Sequence, residues 1–209
     1  MKFPSRGTAL ALALAAGTLL SACAPLILGG AAVGGAMVAT DRRTSGTQVD
    51  DESIELKSLN RVKEVLGDRG HVNVTSYGRQ VLLTGEVPTD ADKTSLEQAI
   101  ASIPNVRGTI NELAVMAPSS LSTRSNDTLL TTKVKASFVD AKDVFSNSVK
   151  VVTERGTVYL MGRVTEREAK RASDIARSVN GVQKVVRAFD VISEAELAET
   201  VQKAPAAKE

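Results

Sequence analysis

Cys23 and His71 are the only thiol and the only imidazole in this chain, and they bound the chemistry it can do. One Cys excludes a disulfide within the chain, and one Cys with one His cannot furnish the several nitrogen and sulfur ligands of a structural zinc site. His71 opens the alternating run His71-Val72-Asn73-Val74-Thr75. Asn73 and Thr75 share its side, which predicts that it faces solvent, and no Ser or Cys partners it there as a nucleophile. Asp90 and Asp92 could pair for acid–base work. They follow Thr89 at the start of a helical pattern, however, where carboxylates complement the helix dipole. Gly85 and Gly162 lack the Gly-rich turn and Lys of a phosphate loop; each relieves crowding where a strand bends toward its helix. No catalytic centre emerges, and neither a cofactor nor a metal is expected.

The remaining composition narrows the partners. The chain has 209 residues, with 43% hydrophobic and 24% charged, which is ordinary globular usage. Aromatic residues make up only 3%, and Trp is absent, so base-stacking nucleic-acid platforms are disfavoured. The formal net charge of +2 includes Lys2 and Arg6; without them, 24 basic residues face 24 acidic ones. A basic pI therefore argues for no nucleic-acid partner.

Lys2 and Arg6 begin a short basic segment, followed by an Ala/Leu-rich run over residues 8–20. That run is too short to span a bilayer, which takes about 20 apolar residues, and it reads as the apolar region of a signal peptide. It ends in Leu20-Ser21-Ala22-Cys23, which resembles the bacterial lipobox. The resemblance implies cleavage before Cys23, a diacylglyceryl thioether on its sulfur and an acyl group on its amine. Ala24, where an Asp would imply retention in the inner membrane, implies transport to the outer membrane. Residues 24–40 are uncharged and carry Gly29, Gly30, Gly34 and Gly35. They are either a flexible tether or a small-residue stripe through Gly30, Gly34 and Val38 that pairs with another helix.

Behind this leader, one unit is written twice. Val74 and Gly85 recur as Val151 and Gly162 at an offset of 77, and Val106 and Val115 recur as Val182 and Val191 at 76. Two copies at so long a period are a tandem domain pair, not a solenoid. In each copy a pair of β-branched runs flanks a glycine turn, Ser76-Tyr77-Gly78-Arg79 and then Glu154-Arg155-Gly156-Thr157, as hairpins require. Helical spacing follows over residues 89–102 and 165–179, third strands over 106–116 and 182–192, and helices precede the hairpins over 53–66 and 127–139. Alternation in Val72, Val74, Val81 and Leu83 predicts one buried hairpin face.

The order helix–strand–strand–helix–strand, with Leu82-Leu83-Thr84-Gly85-Glu86-Val87 and Tyr159-Leu160-Met161-Gly162-Arg163-Val164, resembles the BON domain. Together with the lipobox, Asp41-Arg42-Arg43-Thr44 and Ser125-Asn126-Asp127, it is similar to dual-BON outer-membrane lipoproteins. The fold class is therefore α/β (α+β): two tandem small domains, each αββαβ, with a three-stranded mixed sheet packed on two helices. The expected divisions are a signal peptide at 1–22, a lipidated flexible tether at 23–49, copy one at 50–117 and a linker at 118–125. Copy two follows at 126–195, with a disordered tail at 196–209. Each copy has a complete set of elements and is expected to fold on its own. The resemblance implies a non-enzymatic protein at the periplasmic face of the outer membrane that binds phospholipid and supports envelope integrity. The alternative is an adaptor that docks on an outer-membrane assembly factor.

Charge distinguishes the copies. Residues 50–115 hold 7 basic and 11 acidic residues, whereas 126–196 hold 12 and 10. Copy two is thus the one suited to anionic headgroups. In its first helix Leu130, Val134 and Phe138 form the core stripe, and Leu129 lies about 100° away. Lys133 and Ala136 share Leu129's face, and Lys135 and Arg171 could add charge. Either this face meets anionic phospholipid, with Leu129 in the acyl boundary and Lys133 at phosphate, or Leu129 packs on copy one or the linker.

Overall fold

Four hydroxyl side chains decide where the main helices begin. The computed structural model describes residues 41–141 and 148–203, and in it α1 (Ser45–Leu66) starts at Thr44, whose Oγ accepts from Thr47 N at 3.1 Å. Thr89 likewise opens α2 (Asp90–Ala101), Ser120 opens α3 (Leu121–Asp140) and Thr165 opens α4 (Glu166–Ser178). Each hydroxyl satisfies one of the backbone N–H groups that a helix start leaves without a partner. These caps correct the expected boundaries. Residues 45–49 belong to α1 rather than to a tether, and 121–125 belong to α3 rather than to a linker. The tail is also corrected, since α5 (Glu194–Lys203) covers its first part. Ser193 accepts from Glu196 N at 3.1 Å, and Arg163 pairs with Glu196.

The strands are β1 (His71–Tyr77), β2 (Gln80–Val87), β3 (Gly108–Asn111) and β4 (Ala114–Val115) in copy one, then β5 (Val149–Glu154), β6 (Thr157–Thr165) and β7 (Lys184–Ile192) in copy two. In each copy the first two pair antiparallel and the third lies parallel to the second. The hairpin turns have positive φ at both central positions, 61° and 66° at Gly78 and Arg79, and 48° and 70° at Arg155 and Gly156. This backbone twist matches that of the strands it joins. The third strand of copy one begins at Gly108 and breaks at Glu112 and Leu113, where Asn111 Oδ1 accepts from Leu113 N at 3.2 Å. The break turns Leu113 into the core, 2% exposed.

Gly85 and Gly162 lie within β2 and β6, not at their ends. A Cβ on Gly85 would come within 2.0 Å of the His71 carbonyl oxygen, and one on Gly162 within 2.3 Å of that of Ser148. Only glycine permits the first two strands to approach so closely there.

Each sheet packs one face on its own helices: Ile54, Leu83, Leu96 and Ile100 in copy one, and Val134, Phe138, Leu160 and Ala172 in copy two. The other faces meet each other. Tyr77, Leu82, Tyr159, Met161 and Ala188 form a third buried cluster drawn from both sheets. Residues 41–203 are accordingly one compact unit, layered helix–sheet–sheet–helix. The expected single buried hairpin face is corrected: β2 is buried on both sides from Val81 to Val87.

Candidate functional site

Helix α3 carries the expected surface. Leu130, Val134 and Phe138 are buried as the spacing requires, whereas Leu129 is 63% exposed. Lys133, Lys135 and Ala136 are exposed as well. The exposure of Leu129 favours an open face over packing on copy one or on the segment before α3. Two residues missed in the sequence extend the face: Leu121 is 79% exposed and Val139 is 64% exposed. At 100° per residue, both lie about 80° from Leu129, to the same side. Recognition of Ser120 as the cap would have brought Leu121 onto the helix. Arg171, the more distant candidate, lies on α4. Cys23 lies outside the described residues.

Helix α1 also exposes Val49, Leu56 and Leu59. Its copy, however, carries the acidic excess. An anionic surface attracts basic groups within a Debye length and repels acidic ones, so charge favours α3 over α1.

The junction between the copies is polar at its rim. Arg42, which precedes α1, donates to both oxygens of Glu168 at 2.7 and 2.8 Å, and to the Arg163 carbonyl at 3.0 Å. Burial raises the Glu168 carboxyl, but Arg42 and Thr165 N outweigh it and hold the group below the usual range. Lys150 donates to Glu55 at 2.8 Å, and Arg43 stacks on the Tyr77 ring at 4.3 Å.

At one end of the junction, Arg155 Nη1 lies 2.9 Å from Glu86 Oε1, and Ser119 N donates to Glu86 Oε2 at 3.0 Å. Asn73 donates to Glu154 Oε2 at 3.0 Å, and His71 Nδ1 stands 3.5 Å from Glu86 Oε2. Burial opposes ionisation of Glu86, yet Ser119 N and Arg155 keep its carboxyl low. Glu154 is pushed up, by burial first and then by the Glu86 charge, against the Asn73 hydrogen bond. His71 is therefore half-buried, its side chain 22% exposed, rather than turned fully to solvent as expected. The side it shares with Asn73 and Thr75 turns toward the second sheet, which buries Tyr77 on that side and leaves Asn73 exposed.

Asp51 and Asp127 are a repeated device that the sequence reading missed. Asp51 accepts from Ser76 Oγ and from the N–H groups of Gly78 and Arg79, all within 2.8 Å. Asp127 accepts from Arg155 N and Gly156 N, each at 2.8 Å. In each copy the first helix thus clasps the hairpin turn. Their common offset of 76 residues was the available signal.

The BON domain profile matches residues 50–117 and 126–193. This chain belongs to the BON family. It is 42% identical over 183 residues to outer membrane lipoprotein DolP of Haemophilus influenzae, covering 86% of this chain and 94% of that protein. A 21 kDa hemolysin of Actinobacillus pleuropneumoniae is 33% identical, over 73% of this chain and 79% of the relative. The osmotically-inducible protein Y of Escherichia coli is 29% identical, over 67% and 72%. The chain is thus a dual BON-domain protein of the DolP type, and likeness to an outer-membrane lipoprotein supports association with that membrane. None of these relatives is named as an enzyme. No described helix is long and apolar enough to cross a membrane.

Proposed function

We propose that this chain is a non-enzymatic lipoprotein of the outer membrane's periplasmic face, anchored by lipid on Cys23. In this reading its second BON copy binds anionic phospholipid and thereby supports envelope integrity. The observation that carries it is the outward face of α3, where the exposed Leu129 stands beside Lys133, with Leu121 and Val139 extending the apolar stripe. Apolar tips enter the acyl boundary while ammonium groups remain with phosphate. Each nearby Lys contributes about 1 kcal/mol at an anionic surface. The acidic balance of copy one supports the choice of copy two.

The test is flotation with phosphatidylglycerol-containing vesicles of the chain carrying Cys23→Ala, which removes the acyl anchor and keeps the shared cluster between the copies. Leu129→Glu should abolish co-flotation and leave the melting temperature within about a degree, since an exposed side chain contributes little to stability. Full co-flotation of the Leu129→Glu, Lys133→Glu double variant would remove this face from consideration. Absent flotation by the Cys23→Ala chain itself, with crosslinks from α3 to a protein, would instead favour an adaptor for outer-membrane assembly machinery.

A further inference from the structure

Among the described residues, three metal-ligand side chains meet at the junction of the copies. His71 Nδ1 and one carboxylate oxygen each from Glu86 and Glu154 lie within 4.8 Å of one another. His71 and Glu86 come from copy one and Glu154 from copy two. We infer that these residues form a divalent-cation site of the zinc class bridging the two BON copies. The sequence expectation of no metal site rested on there being one Cys and one His. Carboxylates 68 residues apart (86 and 154) become co-ligands only because the two sheets stack face to face.

One ligand pair already stands at the spacing such an ion needs. His71 Nδ1 is 3.5 Å from Glu86 Oε2. Two ligands at tetrahedral angles on a zinc ion, with bonds of about 2.0–2.2 Å, stand about 3.4 Å apart. His71 Nδ1 is buried and makes no hydrogen bond, with Glu86 Oε2 standing 3.5 Å away. Glu86 keeps Arg155 on Oε1 and can still offer Oε2, since a carboxylate oxygen accepts more than one bond. Asn73 fixes the Glu154 carboxylate by its hydrogen bond to Oε2, as partners of metal ligands commonly do. A cavity of about 240 Å³, lined by His71, Asn73, Asp127 and Glu154 among others, adjoins the cluster. It provides a path in and room for water as a fourth ligand.

The repeat shows that the fold does not require this cluster. At an offset of 77, His71, Glu86 and Glu154 correspond to Ser148, Arg163 and Tyr77. Tyr77 and Arg163 line a separate cavity at the junction, which closes there without a His or a Glu at the equivalent positions. Imidazole with two carboxylates suits zinc, nickel or cobalt better than the all-oxygen preference of calcium or magnesium.

The experiment is calorimetric titration of zinc chloride into the full chain, purified without a polyhistidine tag, with X-ray absorption on the loaded protein. One zinc per chain is expected, in a nitrogen/oxygen shell containing one imidazole, together with a rise in melting temperature. His71→Ala and Glu154→Gln should each weaken binding at least tenfold. Glu154→Gln preserves volume and the oxygen that faces Asn73, so it tests the site even if His71→Ala loosens β1. Three results would overturn the inference: no stoichiometric uptake by the wild type, a zinc shell without imidazole, or undiminished binding by a variant carrying both His71→Ala and Glu154→Gln.

Discussion

Asp51 shows how much a single carboxylate can organise. Its side chain is 3% exposed, pairs with Arg43 at 2.8 Å and receives both central turn amides of the β1–β2 hairpin. Burial raises its carboxyl, but hydrogen bonds from Ser76, Arg79, Arg43 and Gly78 prevail and hold it below its ordinary 3.8. A depressed folded-state value means that the stabilisation is fully present above about pH 4 and is lost as pH falls through the folded value. Asp51→Asn should cost about 2–3 kcal/mol at pH 7, because an amide nitrogen cannot accept the turn N–H groups. The variant should also show a shallower loss of stability below pH 4 than the wild type. Urea denaturation at pH 7, 5 and 3.5 measures both effects, and parallel curves at all three would contradict the assignment.

At the level of elements, Gly85 ties β1 to β2 more tightly than any side chain could. Gly85→Ala meets both a φ of +110° and the His71 carbonyl, and should cost roughly 2–5 kcal/mol by urea denaturation. Gly108→Ala, with open space around the added Cβ, should be neutral or slightly stabilising. An equal loss at both positions would refute the close-approach argument. The hairpins, α2, α4 and the parallel third strands were legible in the sequence because glycine turns, caps and periodicity act locally. Thr89 and Thr165 marked their helices for that reason. The starts of α1 and α3 were hidden in polar, glycine- or serine-bearing runs, where Thr44 and Ser120 were the only signals. Leu129, Lys133 and the core stripe could be placed from helical spacing alone. The destination of His71 could not, since whether its strand face meets water or another sheet depends on residues of the other copy.

For the whole molecule, the stacked sheets make the two copies one cooperative body. Leu82, Tyr159 and Met161 are at most 3% exposed between them, and their burial is lost to both copies if the sheets part. Calorimetry of the full chain should therefore give one transition. Met161→Asp places a charge in that apolar layer at a cost of several kcal/mol and should split the transition in two or lower it by more than ten degrees. Two resolved transitions in the wild type would show that the copies unfold independently.

Arg42 also determines how this body responds to force. It sits at the beginning of the described chain, just ahead of α1, and holds Glu168 and the Arg163 carbonyl of the other copy. Tension applied through the chain at Asp41 is consequently divided between α1 and the β6–α4 corner, so neither copy is peeled alone. The attachment acts as a yoke rather than a string, and a load that could unravel α1 from its first turn must first break a buried guanidinium–carboxylate pair.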